Sequence, residues 1–376
     1  MAAVAKTLIV GGGFSGMAAA IQLRKAGIPV TLVEQDPAWC PIGAGITLGG
    51  ATLRALDMLG VYGEFLKYGA TAESVVIRMA DGTKIVEIPS LPPEGSNVPG
   101  TGGIMRPILA RIMSDMTRGA GVDVHLGTTC TSIEQDANGV EVVMGDGTRG
   151  RYDLLIGADG LHSSLRARFF PDVKQPQYIG QGVWRAVLER PASIDRPQIW
   201  HGHQVKIGVN PVSRTQMYMF ITEDRPKKEH IDRTTFAEVF AGLLKPFSDT
   251  VVQALIPGVY KPEAAIDYRP LVNLLVPMPW NRGRVVLIGD TVAATTPHLA
   301  SGACIGIESG IVLADELAKS DTLQQALDRF HARRWERCRM VVENSARLAQ
   351  IELDDGDKAE HGRIMRDSQM ALRAPI

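Results

Sequence analysis

The chain of 376 residues has only four cysteines, Cys40, Cys130, Cys304 and Cys338, and no C-x-x-C pair. So few and so scattered, they exclude a disulfide scaffold and a zinc ribbon, and they fit a reducing, cytoplasmic compartment. No metal site is expected. Net charge is nearly absent: 40 Lys and Arg against 41 Asp and Glu leave −1. That balance argues against nucleic acid held by bulk electrostatics. No uninterrupted apolar run approaches the roughly 18 residues of a membrane span. The first 23 residues loosely imitate a signal peptide, but Gly11, Gly12 and Gly13 break the apolar stretch and no cleavage site precedes Arg24. Internal repeats and low-complexity tracts are also missing. What the chain does have is a 45 % apolar share, enough for a sizeable core, and 39 glycines. Typical usage is about 7 % glycine, so the excess asks where these residues sit. The length suits about two domains of roughly 150 residues.

Thr7 to Val10 reads as a short buried strand, Gly11 to Gly16 as a turn, and Met17 to Ala26 as a helix stopped by Gly27. Val30 to Glu34 is a second strand, which a βαβ connection makes parallel to the first. Thr52 to Leu59 and Arg106 to Thr117 have helical spacing. Alternation around Asp81-Gly82 and Asp146-Gly147 predicts two hairpins. Leu91 to Gly103, rich in Pro and Gly, reads as a loop. Leu154 to Ile156 and Val285 to Ile288 are buried strands that run into Asp159 and Asp290. Between them, residues 177–269 read as an α+β insertion, with strands at Trp184–Leu188, Gln204–Val209 and Met217–Ile221 and helices near Thr235–Leu244 and Asp249–Leu255. Helices are expected from Gly302 to about Leu317 and from Thr322 to Leu348. The segment from Asp354 is polar and mixed in charge, either a dimer contact or a frayed end.

Gly11-x-Gly13-x-x-Gly16 sits between a strand and a helix, with Glu34 about twenty residues on. The first glycine permits the tight turn, the second lets a pyrophosphate approach, and the third lets the helix pack on the strand. Helix N–H groups then face the phosphates, and Glu34 can accept from ribose hydroxyls. Asp159 and Asp290 close two further strands at the same sheet edge, where ligands of parallel sheets bind.

These segments resemble the single-component FAD-dependent aromatic hydroxylases, the p-hydroxybenzoate hydroxylase-like flavoprotein monooxygenases. The resemblance rests on Gly11 to Gly16 with Glu34, on Asp153 to Arg166 around Asp159-Gly160, on Gly283 to Ser309 around Gly289-Asp290, and on the loop Gly43 to Ile46. It runs from about residue 6 to 345. Where members often carry Arg before that loop, this chain has Pro41. Where many have His after Gly-Asp, it has Thr291 to Ala294, and Ser301-Gly302 replaces the usual Gln-Gly.

The resemblance implies an α/β fold: a Rossmann-like FAD-binding domain (1–72, 101–176 and 270–345), an interleaved α+β substrate domain on a mainly antiparallel sheet (73–100 and 177–269), and a C-terminal helical tail (346–376). It implies FAD contacts from Gly11, Gly13, Phe14, Ser15, Gly16, Glu34, Gly45, Ile46, Arg106, Asp159, Asp290, Pro297, Gly302, Ala303 and Cys304. It further implies NADH or NADPH as co-substrate, and transfer of oxygen from a flavin C4a-hydroperoxide to a phenol or hydroxylated N-heteroaromatic. The helix from Gly302 would aim its N–H groups at the flavin N1/O2 edge. Two other activities stay open: a flavin monooxygenase acting on a non-aromatic or polyketide ring by epoxidation or oxygen insertion, and a non-catalytic FAD-binding protein. The partners expected are a small aromatic molecule and dioxygen, with no nucleic acid and no membrane span, in a monomer or homodimer.

A phenolic substrate calls for a general base. His201, His203, Tyr218 and His298 are the candidates. His201 and His203, two apart, share a face if both lie on a strand, as a base or as a solvent-facing pair. Tyr218 is either core or catalyst, and His298 either lines the pocket or is structural. Arg185 can pair with a substrate carboxylate or form an outward salt bridge. Cys304 reads as a packing residue rather than a nucleophile, and His125 and His162 read as structural.

Overall fold

The computed structural model describes residues 2–39 and 43–376. Thr7–Val10 and Val30–Glu34 run parallel, Thr7 opposite Val30. Leu154–Gly157 flanks the first strand on its other side, and Val285–Leu287 follows it, both parallel. Asp123–Leu126 completes the parallel set beyond Val30–Glu34, and Asn281–Arg282 adds an antiparallel edge. The inner strands are Val-, Ile- and Leu-rich because both sheet faces are covered, as parallel sheets require. Parallel strands also end together. The Gly11 turn, Glu34, Asp159 and Asp290 therefore share one sheet edge, although they lie up to 279 positions apart in the chain.

Behind that edge, helix Phe14–Lys25 crosses helix Gly302–Lys319 closely. The contact is made by small residues. A Cβ on Gly306 would lie 2.4 Å from Ser15 Oγ, and one on Gly310 2.7 Å from Ala19 N and Ser15 O. Both helices are thereby held with their N termini at the ligand edge.

A second sheet of eight strands is antiparallel except for one pairing, Gln198–His201 with Ser74–Met79. Its long central strands are Gln177–Glu189, Gln216–Asp224 and Val205–Pro211. One face carries Trp184, Ala186, Leu188, Met217, Met219, Ile221, Ile207 and Val209, packed on helices Phe236–Leu244 and Thr250–Val259. Period-two alternation sends Arg185, Val187, Tyr218, Phe220, Lys206, Gly208 and Asn210 to the opposite face.

Two local expectations are corrected. The loop expected up to Gly103 ends earlier, because Thr101–Met105 is a strand paired with Gly45–Gly49 and Ala70–Ala72. Its glycines serve close approach rather than flexibility: a Cβ on Gly103 would meet Pro211 O at 2.5 Å. His201 and His203 do not share a strand face. The strand ends at His201, and Gly202 N bonds Val205 O in a tight turn in which Gln204 takes φ 56°.

The C-terminal segment folds back as helix Lys358–Arg373 on the 31-residue helix Leu323–Leu353. Its carbonyl end is gripped by arginines. Arg337 donates to Ala371 O and Leu372 O, Arg54 to Arg373 O, and Arg333 to Ile376 O. Cations at a helix C terminus meet the negative end of its dipole.

Candidate active site

The turn after the first strand is built from backbone. Gly11 adopts φ 106°, and its Cβ position lies 2.3 Å from Ala158 O, so no larger residue fits. A Cβ on Gly16 would lie 2.0 Å from Gly11 O. Gly13 differs: nothing lies within 4 Å of its Cβ position, so the cradle is open there. The helix that follows has no side-chain N-cap and no acid in its first turn. Its N–H groups are left for an anion. Phe14 lies beneath the Arg106 guanidinium, 5.7 Å from its ring centre.

Glu34 stands beside the turn. Its Oε2 accepts from Gly12 N at 2.6 Å and its Oε1 from Asp36 N at 2.8 Å. Trp39, a residue sequence reasoning passed over, donates from Nε1 to Gly12 O at 2.7 Å and walls the same side. Arg118 lies over its ring. No local signal marks Trp39, whose place depends on the left-handed backbone at that position (φ 46°). Pro41, where the family often carries Arg, and Cys40 lie outside the described residues.

Asp159 Oδ2 accepts from Leu165 N and Ser164 Oγ, and Thr291 Oγ1 reaches its Oδ1 at 3.5 Å. The buried Arg166 donates to Thr291 O and Leu161 O. The Asp159 and Asp290 motifs are thus tied together. Asp290 itself stays open to solvent, although protein crowds it on all sides, as on the floor of a cleft. Those surroundings push its carboxyl up, with Arg106 pulling the other way.

An open phosphate cradle, uncapped helix ends and an accessible carboxylate on a cleft floor fit FAD. Gly11 to Gly16 and Glu34 would hold its nucleotide half, and Arg106, Asp290 and the Gly43–Ile46 loop its flavin half. Arg106 N donates to Ala44 O, which fixes that loop to the helix Arg106–Gly119. Burial and the neighbouring Arg185 lower the Arg106 pKa, with Asp290 opposing. Pro297, His298 and Leu299 form a single 3-10 turn that leads through Ala300, at φ 50°, into Gly302, Ala303 and Cys304. This helix start is also uncapped. Burial pushes the Cys304 thiol up, which leaves it a packing residue rather than a thiolate.

Glu308, one turn further along the same helix, is wholly buried, and the sequence reading passed it over. Arg337 donates to both its oxygens at 2.8 Å, Arg334 follows at 3.1 Å and Arg54 at 3.5 Å. Burial pushes this carboxyl up, and the three guanidinium groups hold it below the ordinary range. Breaking such a buried network costs on the order of 3–5 kcal/mol. It fixes the helix that opens at Gly302.

Over this floor lies the polar face of the eight-stranded sheet. Tyr218 is buried against the Gly43–Ile46 loop: a Cβ on Gly45 would lie 2.4 Å from Tyr218 Cβ. Ile46 lies opposite Ile104 and packs on the main core. Arg185 Nε donates to Tyr218 Oη at 3.3 Å, and Asn210 Nδ2 donates to Thr47 Oγ1 at 2.5 Å. Phe220 sits beside Tyr218, ring centres 5.9 Å apart.

The histidines part company. His298 is buried, with Nδ1 2.9 Å from Thr296 Oγ1 and Nε2 3.4 Å from Glu352 Oε2. His201 closes the strand Gln198–His201 and faces Lys206 and Glu352, and His203 follows it in the turn. Burial and Lys206 lower the His201 pKa to about 4. His125 pairs with Asp123. A separate cavity of about 400 Å³ opens at the sheet edge, lined by His230, Arg233, Phe236, Asp267, Tyr268 and Arg269 among others.

The family model described as FAD binding domain matches residues 4–345. The chain belongs to this family. It is an FAD-dependent flavoprotein monooxygenase. It is 30 % identical over 354 residues to the aurachin C monooxygenase/isomerase of Stigmatella aurantiaca, covering 92 % of this chain and 88 % of the relative. It is 29 % identical over 398 residues to the 3-hydroxybenzoate 6-hydroxylase of Polaromonas naphthalenivorans (strain CJ2), covering 98 % and 92 %. The crystal structure of Klebsiella pneumoniae HpxO complexed with FAD and uric acid matches the monooxygenase with a TM-score of 0.84 at 25 % identity, over 98 % of this chain and 92 % of that one.

Proposed function

We propose that this monooxygenase hydroxylates a phenol or a hydroxylated N-heteroaromatic small molecule, with NADH or NADPH as reductant. The balance is one ring C–H, one NAD(P)H, one dioxygen and one proton giving one ring C–OH, one NAD(P)+ and one water. When bound, FAD supplies the hydride and oxygen chemistry. The observation that carries the reading is the Arg185–Tyr218 pair above the Gly43–Ile46 loop. Arg185 donates to the Tyr218 oxygen, which leaves the phenolic O–H free to donate onward. Hydroxyl and guanidinium together suit an anionic or carbonyl oxygen on a ring and favour the deprotonated form of a ring hydroxyl. Phe220 offers that ring an aromatic neighbour. A relative named for 3-hydroxybenzoate and a neighbour bound to uric acid support the same substrate class.

The test is NADH and NADPH oxidation by purified yellow protein against hydroxypyridines, hydroxyquinolines and hydroxybenzoates. One compound should stimulate oxidation and yield a product heavier by one oxygen. If none does, the aromatic reading fails and oxygen insertion into a non-aromatic ring becomes the working alternative.

A further inference from the structure

The family match ends at residue 345, and Glu352 lies just beyond it, in the last turn of helix Leu323–Leu353. Its side chain is 18 % exposed and meets three parts of the molecule. Oε1 accepts from Lys206 Nζ at 2.5 Å, on the strand that also carries Asn210. His361 Nε2, from the folded-back helix, lies 3.1 Å from the same oxygen. Oε2 faces His298 Nε2 at 3.4 Å.

His298 is 1 % exposed, and no other group meets its Nε2 among the described contacts. It belongs to the turn that leads through the left-handed Ala300 into the Gly302 helix. One carboxylate therefore connects the strand above the cleft, the loop below it and the C-terminal helix. His201 and Lys358 also face this cluster, and Asp224 feels it from the neighbouring strand.

We propose that Glu352 is a positioning residue: it holds the His298 turn, and with it the start of the Gly302 helix, at a fixed distance beneath the substrate sheet. This rests on reading that helix as the one facing the flavin. A helix N terminus favours the anionic, reduced form of a group it faces. Moved away, it favours that form less.

The experiment measures the reduction potential of FAD in the intact holoprotein of Glu352→Gln, alongside the FAD dissociation constant and the flavin spectrum. The expected result is retained FAD, an altered spectrum and a tenfold weaker preference for reduced flavin, about 30 mV more negative for a two-electron couple. Deleting a negative charge acts in the opposite direction, so a more positive potential overturns the proposal, as does a wild-type value. The double variant Glu352→Gln with Lys206→Met removes the charge pair together and should show the same negative shift. Failure of both variants to fold and take up FAD assigns Glu352 to folding alone and also overturns it. No aromatic compound enters the measurement. The substrate screen can therefore fail while Glu352 passes, or the reverse.

Discussion

The phosphate cradle and the sheet above the cleft are built from different materials. The cradle is backbone: Gly11 and Gly16 are required by contacts of 2.3 and 2.0 Å, and Gly13 leaves open space beside it. The sheet face is side chain: Arg185 and Tyr218 meet only because strands Gln177–Glu189 and Gln216–Asp224 pair with Arg185 opposite Phe220. A one-residue slip of that register would send Arg185 or Tyr218 to the opposite face. On the function proposed above, the backbone site would hold what is common to any FAD, and the side-chain site could change substrate without touching it.

The largest effect is expected from Gly310→Val. Its Cβ would meet the backbone of Ala19 and Ser15 at 2.7 Å, with no flexible atom to yield. The two helices that open at the cradle and at Gly302 would be prised apart. Overpacking of this kind costs typically 1–3 kcal/mol, and more where backbone must move. The expected outcome is loss of bound FAD together with a Tm lower by several degrees, read by absorbance and thermal melting. A variant that stays yellow and melts like wild type would break the comparison, since the cradle would then not depend on that crossing.

The same division sets what could be read in advance. The parallel strands, the turn between them and the Gly-Asp ends were legible because each is a local pattern with one physical cause. Thr101–Gly103 misled because glycine near proline reads as loop, whereas here it permits strands to approach closely. Gly306 and Gly310 lie four apart on the Gly302 helix, but nothing local marks them, because their partners Ser15 and Ala19 lie almost 300 residues away. Glu308 and Glu352 read as ordinary helical acids. Only tertiary contact surrounds the first with Arg54, Arg334 and Arg337 and the second with Lys206, His298 and His361. Pairing across a fold leaves no trace in local spacing.

Arg185→Met sharpens the contrast from the other side. It keeps an unbranched apolar stem and removes the guanidinium that donates to Tyr218. Hydrogen bonds to charged groups contribute roughly 1.5–3 kcal/mol. For the compound that stimulates NAD(P)H oxidation, the apparent KM should rise about tenfold or more, while the FAD dissociation constant stays within about twofold. An unchanged KM would remove Arg185 from the substrate site, and a lost flavin would show that cradle and sheet are not separable.

The smallest effect is a pH dependence confined to the sheet end. Crowding by protein and the nearby Lys206 lower the His201 pKa to about 4 from an ordinary 6.5, although the residue keeps an exposed surface. In the folded chain it stays neutral at pH 5, whereas in the unfolded chain it takes up a proton below about 6.5. Protons bind the unfolded state more tightly in that window, so acidification from 6.5 towards 4 costs folding stability, and below 4 the penalty is complete. His201→Gln removes the titrating ring. Because the residue stands exposed and solvent screens its charge, the variant's Tm should fall only slightly less than that of wild type between pH 7 and pH 5, by under about 2 °C, while both proteins lose FAD at the same pH. Equal losses of Tm would mean that His201 is hydrated in the folded protein. A difference in FAD release would carry the sheet end's electrostatics into the cradle and join the two regions that the glycines and the strand register keep apart.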